Sequence, residues 1–244
     1  MNIVMHCLGL PFNGETPYTQ SLGGSETACW AMAREMVKLG HQVTVFTLGE
    51  PGEFEGVVYA NAGPITDTEP LGAEFHHYAT NAPIDALVIQ RHPAAFNLRY
   101  NSKLNFQWLH DIASKEHAPY VGGSLWQVDG IFTVSEYHRR QVIKAYDLPE
   151  DAVIATQNGL NLDWFEEPSG ERHPHTLLYS SRPERGLEHL VKPGGIMDRL
   201  KEARPDIDFT LGICHYVDPP QAQGWRGTIR VSMALWRPVV TAAC

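Results

Sequence analysis

Residues 2–47 leave few options for folding, because a short apolar run, a glycine-rich stretch, an amphipathic helix pattern and an alternating run follow one another in order. Asn2-Ile3-Val4-Met5-His6-Cys7-Leu8 is mostly apolar and too short for helical periodicity, so it reads as a buried strand. A loop through Pro11, Asn13, Gly14 and Pro17 leads to Gly23-Gly24-Ser25-Glu26, where a helical pattern opens with Ala28, Met32, Ala33, Met36 and Val37 as its inner face. Ser25 suits the N-cap, Glu26 the positive end of the helix dipole, and Gly40 the position just past the end. Gln42 to Thr47 then alternates as a second strand. Strand, glycine loop, helix and strand make the βαβ unit of an open parallel sheet, which binds ligands at the carboxyl ends of its strands.

The glycines act through the side chains they lack. Gly23 and Gly24 let backbone approach a ligand, and the first amides of the helix have no internal partner, so they can donate to an anion or to sugar oxygens. The pattern is neither GxGxxG nor a Walker loop, and the same residues also suit a plain tight turn before a capped helix. The missing GxGxxG counts against a dinucleotide oxidoreductase.

Strand patterns recur at Val57–Tyr59, Ala86–Gln90, Leu104–Leu109, Ile131–Val134 and Ala152–Thr156. A short helix is expected over 93–100, and Ser135 is expected to cap a helix whose inner face is Tyr137, Val142, Ile143 and Tyr146. Strands alternating with helices to about residue 160 predict a doubly wound α/β domain. Arg91-His92 and His110-Asp111 follow strands and so face the same crevice as the glycine loop. His110 is the candidate catalytic residue, able to donate a hydrogen bond to a substrate oxygen or to act as acid or base. The pair His76-His77 has no acidic or cysteine partner at ligand spacing, so no metal is expected there.

Charge and cysteine usage narrow the classes further. A net charge of -9 argues against nucleic acid as a partner, and any anionic ligand must be met by local arginines, lysines or amides. Cys7, Cys29, Cys214 and Cys244 show no CxxC spacing, which favours a reduced, cytoplasmic protein. No apolar run reaches the roughly 20 residues of a membrane span, and Met1-Asn2-Ile3 lacks the basic start of a secretory leader.

Gly23-Gly24-Ser25-Glu26 leading into Ala28 to Ala33, His110 at a strand end, and Asn158-Gly159-Leu160-Asn161 together resemble the glycogen-synthase-like retaining glycosyltransferases of the GT-B fold, which pair two Rossmann-like domains. Leu178 to Glu188, with Arg182 and Arg185-Gly186, is similar to the strand, turn and helix that open that family's nucleotide-sugar domain. The spacing is shorter than the commonest form, so the roles of the two arginines stay interchangeable.

The resemblance covers roughly residues 1–213. It implies an N-terminal acceptor-side domain over 1–165, a linker over 166–175, the start of a nucleotide-sugar domain over 176–213 and an atypical tail over 214–244. Residues 176–244 are too few for a doubly wound domain of about 100–150 residues. The family's later pair of glutamates is absent, and no Glu follows Glu202. The second Rossmann-like domain is therefore expected to be incomplete.

On this resemblance the partners are a nucleotide-sugar donor and a saccharide or other hydroxyl acceptor, with no cofactor and no metal. Peripheral membrane contact and a partner chain completing the second domain are both compatible with it. Arg182 and Arg185 would hold the donor diphosphate, Gly23 and Gly24 would leave room for it, Ser25 and Glu26 are further candidate substrate-binding residues, and His110 would contact the transferred sugar. Glu26 cannot rest on a phosphate without repulsion, so the helix dipole or an acceptor hydroxyl is its expected partner. A binding or scaffold module without catalysis remains the alternative.

Overall fold

A computed structural model of the chain describes residues 1–20, 22–162, 175–179, 181, 185–214 and 228–232, with side chains as far as residue 212. The chain divides into two units, Met1–Phe165 and Glu166–Cys244.

In the first unit the strands are β1 (Asn2–His6), β2 (Gln42–Thr47), β3 (Gly52–Phe54), β4 (Val57–Asn61), β5 (Ile84–Gln90), β6 (Ser102–Leu109), β7 (Gly130–Thr133) and β8 (Val153–Ala155). They form one sheet in the order β3-β4-β2-β1-β5-β6-β7-β8. Only β3 runs antiparallel to its neighbour; the other pairings are parallel. The chain winds outward from β1 through β2 and β4, returns to place β5 on the other side of β1, and winds outward again. The reversal leaves a crevice at the carboxyl ends of β1 and β5.

Helices are α1 (Thr16–Thr19), α2 (Gly24–Lys38), α3 (Ala73–Asn81), α4 (Ala118–Ser124) and α5 (Glu136–Tyr146). Side chains alternate between the two faces of the sheet, as strands require. Ile3, Met5, Val43, Val45, Ala86 and Val88 meet Cys29, Trp30 and Ala33 of α2. Val4, Phe46, Leu87 and Ile89 meet Phe75 and Ala79 of α3 on the opposite face. This is a doubly wound α/β fold. Cys7 and Cys29 are buried and free, in contact with each other on the α2 face.

Several local expectations change. On α2 the buried residues are Glu26, Cys29, Trp30 and Ala33, while Met32 is exposed, because Trp30 fills the space between α2 and the loop and donates its indole N–H to Gly14 O at 3.2 Å. Residues 93–100 hold only a 3-10 turn at Ala95–Asn97. On α5 Tyr137 is exposed and His138 is buried in its stead. The C-terminal end of α2 follows its sequence pattern: Gly40 adopts φ +84°, His41 N–H donates to Met36 O and Gly40 N–H to Val37 O, the reciprocal pair of a Schellman ending.

The second unit contains β9 (Thr176–Tyr179), α6 (Leu187–Val191), α7 (Ile196–Ala203), β10 (Thr210–Cys214) and β11 (Thr228–Ser232). β10 pairs in parallel with β9 and antiparallel with β11. Met197 and Leu211 form its buried centre, packed by Leu187, Leu190 and Leu200. The strand at 228–232 lies in the stretch where the sequence carries no family pattern.

Candidate active site

The crevice is built by three strand ends and the start of α2. β1 continues into Gly9 and Leu10, β5 into Arg91 and His92, and β6 into His110 and Asp111, while α2 begins at Gly24 with Gly23 as its N-cap.

Glu26 stands at the centre of the α2 side. It is only 3% exposed; its Oε1 accepts from Leu10 N–H at 3.1 Å and its Oε2 accepts from the Ser25 hydroxyl at 2.9 Å. A Cβ added at Gly9 would collide with Oε1, and one added at Gly23 would collide with Oε2. One expectation is corrected here. Ser25 is not the N-cap, because the helix starts one residue earlier and the Ser25 hydroxyl donates to Glu26 instead of accepting an amide. Gly23 leaves room for the Glu26 carboxylate. A Cβ at Gly24 would meet open space, so that glycine is not explained by packing. Each Glu26 oxygen thus takes one hydrogen bond from the loop or the start of α2.

His110 is held from several sides. Gln90, 2% exposed at the end of β5, places its Nε2 3.2 Å from His110 Nε2, and the Trp108 ring lies against the imidazole with centroids 4.8 Å apart. Burial pushes the His110 pKa down to about 4; the nearby Asp111 charge works upward, and Arg91 and His138 add to the fall. The ring is therefore neutral at physiological pH.

The neighbouring residue anchors the segment. Arg91, whose own backbone sits at φ +64°, donates to the Asp111 carboxylate through Nε at 2.7 Å and Nη2 at 3.4 Å. Asp111 in turn holds the guanidinium in its charged form, and the Glu26 carboxylate contributes in the same sense. His138 accepts from Val134 N–H at Nδ1, 3.4 Å, so its Nε2–H donates to Asp111 O at 2.8 Å. Ser135 caps α5 as its position suggests, accepting from His138 N–H at 3.1 Å.

Four buried polar atoms at the ends of β5 and β6 lack a hydrogen-bond partner among the described residues: Gln90 Oε1, His92 Nδ1, Gln107 Oε1 and Trp108 Nε1. Beside the crevice, a cleft of about 270 Å³ lies where the loops after β1 and β2 meet, bordered by Phe12, Asn13, Thr16, Gly49 and Glu50. No group of three or more His, Cys, Asp or Glu among the described residues is arranged to hold a metal ion, and no helix among them is long and apolar enough to cross a membrane.

Gly23, Ser25 and Glu26 thus come together at one lip of the crevice, with Arg91 and His110 within the electrostatic reach of Glu26. Arg185 belongs to the second unit, where it is exposed immediately before Gly186, the N-cap of α6 at φ +113°. Arg182 lies outside the described residues. The linker expected at 166–175 also falls outside them, save for His175. Sequence reasoning did not single out Gln90 and His138. For Gln90 the signal was present, a polar residue closing the apolar run Ala86-Leu87-Val88-Ile89; for His138, on a helix with charged neighbours, there was none.

No protein-family description matches the sequence, and no curated protein does. Among solved structures, a glycosyltransferase from Rickettsia africae ESF-5 is similar over 84% of this chain and 65% of its own, with a TM-score of 0.49 and 12% sequence identity. At that level the likeness carries no argument about chemistry. The chain spans 65% of that neighbour's length.

Proposed function

We propose that the chain takes part in transferring a sugar from a nucleotide-sugar donor to a hydroxyl acceptor, with retention at the anomeric carbon. The observation that supports this best is the convergence of Glu26, Arg91 and a neutral His110 on the crevice between β1 and β5. A carboxylate already occupies the positive end of α2, which disfavours a phosphate there. A neutral imidazole, a carboxylate and buried amides are instead suited to hydroxyl groups, which both donate and accept. The first unit then holds the sugar, and His110 contacts one of its oxygens.

The departing diphosphate needs positive charge without a proton to lose, and Arg182 and Arg185 supply that type of group. With a pKa near 4, His110 is a weak base at neutral pH, so its part in this reading is contact with the sugar and the acceptor proton goes elsewhere. The leaving phosphate oxygen is the natural base for it.

Incubating the full chain with a panel of UDP-, GDP- and ADP-sugars and measuring nucleotide release tests this. Release that falls in Arg185→Ala and in His110→Ala supports it. Binding of saccharides with no release from any donor instead supports the non-catalytic acceptor-binding alternative.

A further inference from the structure

Gln90 ends an otherwise apolar strand, and a buried amide is costly unless its groups are bonded. Its register partner on β6 is Trp108, so both side chains share the α2 face of the sheet, and both flank the His110 ring. The contact between Gln90 Nε2 and His110 Nε2 sets two nitrogens 3.2 Å apart. An amide nitrogen has no lone pair to offer, so the bond exists only if Gln90 donates and the imidazole nitrogen is unprotonated. Turning the amide over would bring Oε1 to the ring and put the amide nitrogen, a donor, at the buried position where Oε1 now has no hydrogen-bond partner. An orphaned donor is rarer and costlier than a carbonyl oxygen lacking a partner, which is the state Gln90 Oε1 is in.

We propose that Gln90 is a positioning residue that fixes His110 in its Nδ1–H tautomer, so that Nδ1 presents a neutral hydrogen-bond donor to an uncharged oxygen of the ligand. Nδ1 bonds to none of the described residues, so that donor is available. The backbone beside it is pinned independently, by His138 on the Asp111 carbonyl and by Arg91 on the Asp111 carboxylate. The tautomer stands on this geometry alone; that the oxygen is a sugar hydroxyl rests on the proposed function. A neutral donor of this kind serves a hydroxyl or ring oxygen of a sugar without requiring charge on the ligand.

Nitrogen-15 NMR of the histidine-labelled full chain reads the tautomer directly, with the His110 signals assigned from their loss in His110→Asn. The expected result is a protonated, pyrrole-type Nδ1 and an unprotonated, pyridine-type Nε2; a protonated Nε2 in the wild-type chain overturns the proposal. In Gln90→Met, which keeps the length and removes the donor, the two tautomers should mix. An unchanged His110 spectrum in that variant also overturns it. With an active donor, Gln90→Met should lower kcat about tenfold at little cost in KM, the loss of one oriented hydrogen bond. Should no nucleotide sugar be turned over, the functional reading fails while the NMR outcome still decides the tautomer.

Discussion

The Arg91 guanidinium and the Asp111 carboxylate clasp one another across the ends of two adjacent strands, and Asp111 is the residue next to His110. The pair is partly open to solvent, with side chains 38% and 62% exposed, so its direct contribution to stability is small, about 1 kcal/mol or less. Its use is to aim the segment that carries His110. Arg91 also occupies the left-handed region at φ +64°, where a residue with a Cβ is strained by roughly 1 kcal/mol. Arg91→Gly relieves that strain while removing the clasp. Denaturant unfolding should find Arg91→Gly more stable than Arg91→Ala and close to the wild type. If the chain turns over a nucleotide sugar as proposed, both should lose nucleotide release by roughly tenfold or more, as expected when a contacting group is mispositioned.

Glu26 and the two glycines that face it form a unit whose members cannot be changed singly. The carboxylate sits where the Cβ atoms of residues 9 and 23 would otherwise be, and it is tied there by Leu10 N–H and the Ser25 hydroxyl. Gly23→Ala should destabilise the fold by about 1–3 kcal/mol through overpacking. Glu26→Ala frees the space, so Gly23→Ala on that background should cost appreciably less. A double-mutant cycle by chemical denaturation should give a coupling of about 1 kcal/mol or more between positions 23 and 26. Additive effects would show that Gly23 is needed for something other than the carboxylate.

The parts of this fold that were legible in sequence are those whose pattern is local. Ala86–Gln90 is an apolar run and Leu104–Leu109 an alternating one, and they are strands for that reason; Gly40 ends α2 because a left-handed residue there completes a local ring of hydrogen bonds. The helix α3 escaped notice because Phe75 and Ala79 are its only buried residues and two histidines lie between them. The Gln90 to His110 contact spans 20 positions in the chain and has no local signature. The roles given to Arg182 and Arg185 come from the resemblance and have no local pattern of their own in the sequence.

Two serines show how the same local signal diverges once tertiary contacts are present. Both Ser25 and Ser135 precede helical patterns, and both look like N-caps. Ser135 has extended backbone angles and accepts from His138 N–H, so Ser135→Ala should cost about 1 kcal/mol. Ser25 lies inside α2 and only donates to Glu26, a neighbouring carboxylate that retains its bond to Leu10 N–H when the hydroxyl is gone. Ser25→Ala should therefore destabilise by clearly less than Ser135→Ala under the same thermal or chemical unfolding protocol. Equal losses would mean that Ser25 supports the helix start in a way its single hydrogen bond does not account for.

His6 makes the stability of the first unit depend on pH. It is fully buried on the α3 face, with its ring against Phe75 and Nε2 on Leu71 O at 2.8 Å, and burial lowers its pKa from 6.5 to about 4; the Leu71 bond opposes this and His92 adds to it. Between those two values the unfolded chain binds a proton at this position that the folded chain does not. Stability therefore rises with pH across the window and falls as the solution is acidified from about 6.5 towards 4. A shift of that size corresponds to roughly 3 kcal/mol over the whole window. Carboxylates titrate in the same range, so the contribution is read as a difference. His6→Asn keeps a side-chain donor and cannot be protonated, and it should be less stable than the wild type at pH 7.5 because the ring packing is lost. On moving to pH 4.5 the wild type should lose more stability than His6→Asn does, by about 2 kcal/mol or more, in urea unfolding followed by tryptophan fluorescence. Parallel pH profiles for the two proteins would show that the buried imidazole takes up its proton without unfolding the sheet.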